Sequence, residues 1–148
     1  MQQNRYPAER YDDYGRLRAR QGVWLALMLS AHAWLLLAFD MSQSGTGVQT
    51  LRAVYRTDLL LLFPLTGGLL AFLFVLVYPL RHLYPGVMKG AWLLLFFTVC
   101  VEALVSLALL YRNIGEEGQD LWLSLFLLNA AVLTELSPDR YNRDCFLL

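Results

Sequence analysis

The stretch Leu59–Leu80 reads LLLLFPLTGGLLAFLFVLVYPL, 22 residues without one charged side chain. At 1.5 Å rise per residue, a helix of this length covers the hydrocarbon core of a bilayer, roughly 30 Å. A helix half in water would instead repeat its apolar residues every three or four positions. Three more apolar stretches lie to either side. Ala91–Tyr111 has 21 residues, Val23–Phe39 has 17 and Leu121–Leu136 has 16. The last would span about 24 Å as a helix, so it stands nearly upright or thins the bilayer around it. Composition agrees, with 57% of the chain hydrophobic and 16% charged, far from the balance of a soluble domain. The fold expected is all-α: a polytopic membrane protein built as a four-transmembrane-helix antiparallel bundle. It comprises a cytoplasmic leader at 1–22, a membrane domain at 23–136 (helices at about 23–39, 59–80, 91–111 and 121–136) and a cytoplasmic tail at 137–148.

The connections are short and carry helix breakers: Ser42–Gly47, then Tyr84-Pro85-Gly86, then Asn113–Gly118. Leu51–Arg56 has the pattern of a short helix laid on the outer leaflet. Lys and Arg near membrane ends stay in the cytoplasm. Four crossings place nine such residues on the side of the two termini and three on the other. With a fourth stretch that failed to cross, the split would be seven to five. Both termini are therefore expected inside. Trp24, Tyr78 and Trp92 then fall near the inner boundary, and Phe39, Tyr111 and Trp122 near the outer one, where aromatic anchors belong. Val23–Phe39 resembles a secretory signal only superficially, because Leu37-Ala38-Phe39-Asp40 lacks the small-x-small cleavage pattern.

Several function classes are disfavoured. Twelve basic and twelve acidic residues give zero net charge, and no basic patch interleaved with aromatics awaits a phosphate backbone, so no nucleic-acid partner is expected. No Cys and His cluster at metal spacing, no Gly-rich phosphate loop and no nucleophile set stands out. No catalytic residues, metal or cofactor are expected.

The residues that draw attention are polar ones inside the apolar stretches, since an ionisable side chain at the bilayer centre costs about 2.5–3.5 kcal/mol even on lenient scales. His32 and Glu102 each lie one residue past the midpoint of their stretch, and Asn129 lies at the centre of the fourth. Gly67 and Gly68 lie near the middle of the second, where absent side chains favour close helix packing. Ser106, one turn beyond Glu102, shares its face. In a structural reading, Glu102 hydrogen-bonds His32 or Asn129 and so fixes which helix faces meet. In a functional reading, His32 and Glu102 form a proton relay or ion site. In a third, Glu102 meets a polar residue of another subunit. Pro64 removes one backbone donor and is expected to kink its helix.

Outside the membrane, Asp13-Tyr14-Gly15 suits a turn. Arg16, Arg18 and Arg20 would meet anionic headgroups, with Leu17 dipping toward the acyl region. Arg140, Arg143 and Asp144 either dock the tail on the second linker or stay solvated. The segment Asp13-Tyr14-Gly15-Arg16-Leu17-Arg18 before the first helix, and Arg143-Asp144-Cys145-Phe146 after the last, resemble the YfeZ-like family. That family comprises small inner-membrane proteins of gram-negative bacteria with unknown function. The resemblance covers nearly the whole chain and implies a bacterial inner membrane; it implies no activity, substrate or catalytic residue. The function expected is that of a small accessory or assembly subunit of a larger membrane complex. The alternative is an oligomeric, proton-linked small transporter or channel using His32 and Glu102. Partners would be the lipid bilayer and either a larger membrane protein or further copies of the chain.

Overall fold

The computed structural model describes residues 6–44 and 49–147; Gly45, Thr46 and Gly47 of the first linker lie outside them, as do Arg5 and Leu148. Seven α-helices occur among the described residues: α1 (Gln21–Ser30), α2 (His32–Ser44), α3 (Gln49–Val54), α4 (Asp58–Val77), α5 (Pro85–Arg112), α6 (Gln119–Leu136) and α7 (Arg140–Phe146). No strand accompanies them there, only an isolated antiparallel bridge between Tyr11 and Leu17.

Local chemistry sets most of the boundaries. Thr57 enters α4 from an extended conformation and Asp58 sits in its first turn, where a carboxylate meets the positive end of the helix dipole. Pro79 and Leu80 lie in a tight 3-10 turn, Tyr78–His82, that ends the α4 rod. Pro85 opens α5, a position where its missing N–H is not needed. Gly118, with φ 105°, precedes α6, in a region L side chains rarely adopt.

With the turn that follows it, α4 forms a rod of 25 residues, and α5 is a rod of 28; each is long and apolar enough to cross a membrane. The pairs α1–α2 and α6–α7 meet the same standard only if each bent pair counts as one span, so the crossings number two to four. The apolar stretch 23–39 is thus two helices, bent by 50° at Ala31. No proline or glycine stands at the break. Ser30 donates to the Ala26 carbonyl and the His32 ring donates to the Leu29 carbonyl, and side chains that turn back onto the ladder bend helices. By contrast, α4 runs uninterrupted through Pro64.

Two apolar clusters form the interior. The larger joins Val23, Leu27, Phe74, Trp92, Leu95 and Phe146, with neighbours from the same helices. The smaller centres on Ala33, Leu51 and Tyr55. Trp92 is 1% exposed, so it is a core residue where a boundary anchor was expected. Outward, the pattern inverts that of a soluble protein. Only 28% of the most apolar window of each long rod is buried, and Leu62, Phe72, Leu76, Phe97 and Leu104 all face out. In water this would be an extended aggregation-prone patch; hydrocarbon is its natural solvent.

Candidate functional site

α5 brings Glu102 and Ser106 onto its buried face, against Gly67 of α4 and Asn129 of α6. Glu102 is 6% exposed. The Ser106 hydroxyl donates to the Glu102 backbone carbonyl at 2.7 Å, and Asn129 Nδ2 donates to the Ser106 hydroxyl at 3.4 Å. The Glu102 carboxylate is not used in these bonds, and its buried Oε1 has no hydrogen-bond partner among the described residues. A Cβ on Gly67 would overlap that carboxylate; the glycine is what lets the acid lie against α4. Beside it is a space of about 30 Å³ walled in part by Tyr55, Pro64, Ser106, Trp122 and Asn129. This volume is that of about one or two water molecules.

His32 does not join this group directly. Its Nδ1 donates to the Leu29 carbonyl at 2.9 Å, and its Nε2 lies 2.8 Å from the Tyr55 hydroxyl. The Nδ1–H needed by a carbonyl makes Nε2 of the neutral ring an acceptor, so Tyr55 donates. The expected His32–Glu102 bond is therefore replaced by an indirect arrangement: Tyr55 holds His32 and also walls the Glu102 space. The expected Glu102–Asn129 bond is replaced by the Ser106 relay. Equal depth along straight helices had suggested direct contact for His32, and the bend immediately before it removes that premise.

Sequence reading missed Tyr55, hidden between two arginines. Asp40 was missed as well; its carboxylate accepts from the Thr50 and Leu51 amides and caps α3. No local signal marks Asp40, because it lies within α2, nine residues before α3 begins, whereas a capping residue ordinarily stands directly at the helix start. A third missed feature is Trp34, whose Nε1 donates to the Leu65 carbonyl at 2.8 Å. Gly68 makes room for that indole, since a Cβ there would overlap the ring and lie 3.3 Å from the Ala31 Cα.

A second polar cluster gathers at the end of the bundle that holds both terminal segments. Asp12 Oδ1 accepts from the Tyr14 and Arg16 amides at 3.0 and 2.8 Å, and Oδ2 pairs with Arg81 Nη2 at 2.5 Å. Burial pushes the Asp12 carboxyl upward, but the Arg16 amide, the Arg81 guanidinium and the Tyr14 amide together outweigh it and leave it below the ordinary aspartate value. Arg16 Nη1 donates to the Arg81 carbonyl, and Tyr14 stacks on His82 at 4.4 Å. The tail closes over the leader: Tyr141 donates to the Arg18 carbonyl at 2.7 Å, and Tyr6 to Asp144 at 2.9 Å. Leu17 is 7% exposed, with its carbonyl bonded by the Cys145 thiol. It is packed in protein and does not dip toward acyl chains, because the tail helix covers it.

Comparison with known proteins fits a chain of this kind. The family described as "Protein of unknown function (DUF2919)" matches residues 6–147. The chain is similar to "Inner membrane protein YfeZ" of Escherichia coli (strain K12), with 28% identity over 149 residues, covering 99% of this chain and 97% of that relative. No solved structure matches it. With almost its whole length matched, the chain belongs to the DUF2919, or YfeZ-like, family of proteins of unknown function.

Proposed function

We propose that the chain is a four-span inner-membrane protein with both termini in the cytoplasm, serving as a small accessory or assembly subunit of a larger membrane complex. One observation carries this reading: leader, second linker and tail are fastened into an ordered polar cap, while the space beside Glu102 is water-sized. An ordered cap gives a partner a defined surface. A solute carrier needs a wider path. The excess of Lys and Arg on the terminal side supports the orientation, and the name of the relative from Escherichia coli supports the inner membrane.

The test is affinity purification of the tagged chain from native membranes in mild detergent, with mass spectrometry and a native mass. A stoichiometric larger membrane protein is the expected result. A homo-oligomer alone would overturn the accessory role.

A second reading, a proton-linked oligomeric transporter or channel, is favoured by Glu102 Oε1, which has no hydrogen-bond partner among the described residues, and by Tyr55, which bonds His32 and lines the same space. Glu102→Gln separates the two. The amide is isosteric and uncharged, so an accessory role predicts unchanged expression, fold and partner recovery. A relay predicts at least a tenfold loss of proton flux in proteoliposomes with the fold intact, as expected when an essential acid–base group is removed.

A further inference from the structure

Arg81 is 6% exposed. Its Nη2 is held by Asp12 and its guanidinium carbon lies over the Tyr78 ring, 4.2 Å from the centroid, while its Nη1 is buried with no hydrogen-bond partner among the described residues. A buried guanidinium donor without an acceptor is costly, so such an atom points to a ligand acceptor. Arg81 lines a cleft of about 190 Å³ whose wall also holds Arg16, Lys89, Gly86, Cys145 and Phe146, with no acidic side chain among the described residues that line it. Neither Arg16 nor Lys89 forms an ion pair among the described residues. Gly86 is the second residue of the 28-residue helix α5, and nothing lies within 4 Å of where its Cβ would be. Pro85 has no N–H and the Met88 amide bonds the Tyr84 carbonyl, which leaves the Gly86 and Val87 amides without an intrahelical acceptor at the positive end of the helix dipole.

We propose that this cleft is an anion site for a phosphate group, held by Arg16, Arg81, Lys89 and the first amides of α5. Guanidinium donors and helix N-terminal amides suit the oxygens of a phosphate. The apolar run of α5 begins at Ala91, five residues after Gly86, or about 7.5 Å along a helix. This puts the cleft at headgroup depth. The phosphate is therefore either that of a phospholipid headgroup or that of a free small molecule, and both present the same chemistry. The inference stands apart from the accessory role, since a partner need not touch the cleft.

The experiment uses the full chain in an uncharged maltoside detergent and follows its thermal midpoint and native mass. The probes are inorganic phosphate alone and short-chain phosphatidylglycerol, with diacylglycerol as the uncharged control. A rise with inorganic phosphate identifies a free-phosphate site. A rise with phosphatidylglycerol alone, retained as a mass adduct, identifies a lipid headgroup site. In the double variant Arg16→Gln, Lys89→Gln, the effective probe concentration should increase at least about tenfold. Lys89 is exposed, so Lys89→Gln alone, which leaves the cap intact, gives a part of that increase should the double variant fail to fold. Arg112→Gln, at the opposite end of α5, should behave as the parent chain. No rise with either phosphate probe, a rise equal to that with diacylglycerol, or equal responses in the parent and Lys89→Gln would overturn the proposal.

Discussion

Gly68→Leu is expected to lower the thermal midpoint of the detergent-solubilised protein by roughly 5–10 °C, the counterpart of about 2–3 kcal/mol of overpacking in a chain of this size. A side chain at position 68 would start inside the Trp34 indole and within 3.3 Å of the Ala31 Cα. Ala31 is backbone at the α1–α2 break and cannot swing away. Trp34 can move outward only by giving up its bond to the Leu65 carbonyl. Gly67→Ala should cost less, although its Cβ also overlaps a neighbour, because that neighbour is the mobile end of Glu102. Combining Gly67→Ala with Glu102→Ala should then be less damaging than the sum of the two, since the second removes what the first collides with. A loss for Gly68→Leu within about 1 °C would mean that α4 and the α1–α2 junction are not in close contact, against the ordinary cost of filling an occupied site.

These contacts also mark how far the sequence could be read. The α4 and α5 rods follow from their long uncharged runs, which require no knowledge of neighbours. Gly67, Ser106 and Asn129 could be placed beside Glu102 by depth alone, because α4, α5 and α6 are each continuous there. His32 could not. Its position was inferred along a straight helix, and the break at Ala31 rests on serine and histidine side chains that look ordinary in a helical stretch. Its partner Tyr55 falls in Leu51–Arg56, whose pattern reads as a short helix on the outer leaflet, whereas Leu51 and Tyr55 are buried in protein. The terminal cap was hidden for another reason. Asp12 with Tyr14 and Arg16 is a local turn, legible from spacing, but the ion pair to Arg81 joins positions 69 residues apart, and no spacing rule reaches across the four helices α1 to α4.

That ion pair carries the second large effect. Asp12→Ala is expected to free the leader from the rest of the cap, raising amide exchange across 11–18 by roughly 30-fold, the counterpart of about 2 kcal/mol. The carboxylate satisfies two backbone amides and a guanidinium at once. Arg81 has a side chain 7% exposed, against 19% for Asp12, so the substitution leaves a mostly buried charge without its counter-ion. Full loss of a buried partner costs about 3–5 kcal/mol, and the partial exposure of Asp12 brings the figure down. Asp12→Asn should fall between, keeping the amide bonds and losing the charge. Asp13→Ala, at an exposed neighbour, should change little. Replacing both partners, as in Asp12→Asn with Arg81→Met, should disturb the cap less than Asp12→Ala, because no unpaired charge is left behind. Acid should act in the same direction. The folded carboxyl titrates below the ordinary aspartate value of 3.8, so its contribution is complete at neutral pH. It begins to fade as pH drops past the range of a free carboxyl and is lost once pH passes the folded value. Exchange in 11–18 should therefore hold steady from neutral pH down to about pH 5 after correction for the intrinsic rate, then accelerate toward pH 3 in the parent chain and not in Asp12→Ala. Acceleration of equal size in both chains would place the fastening of the leader elsewhere, on Tyr141 and the tail.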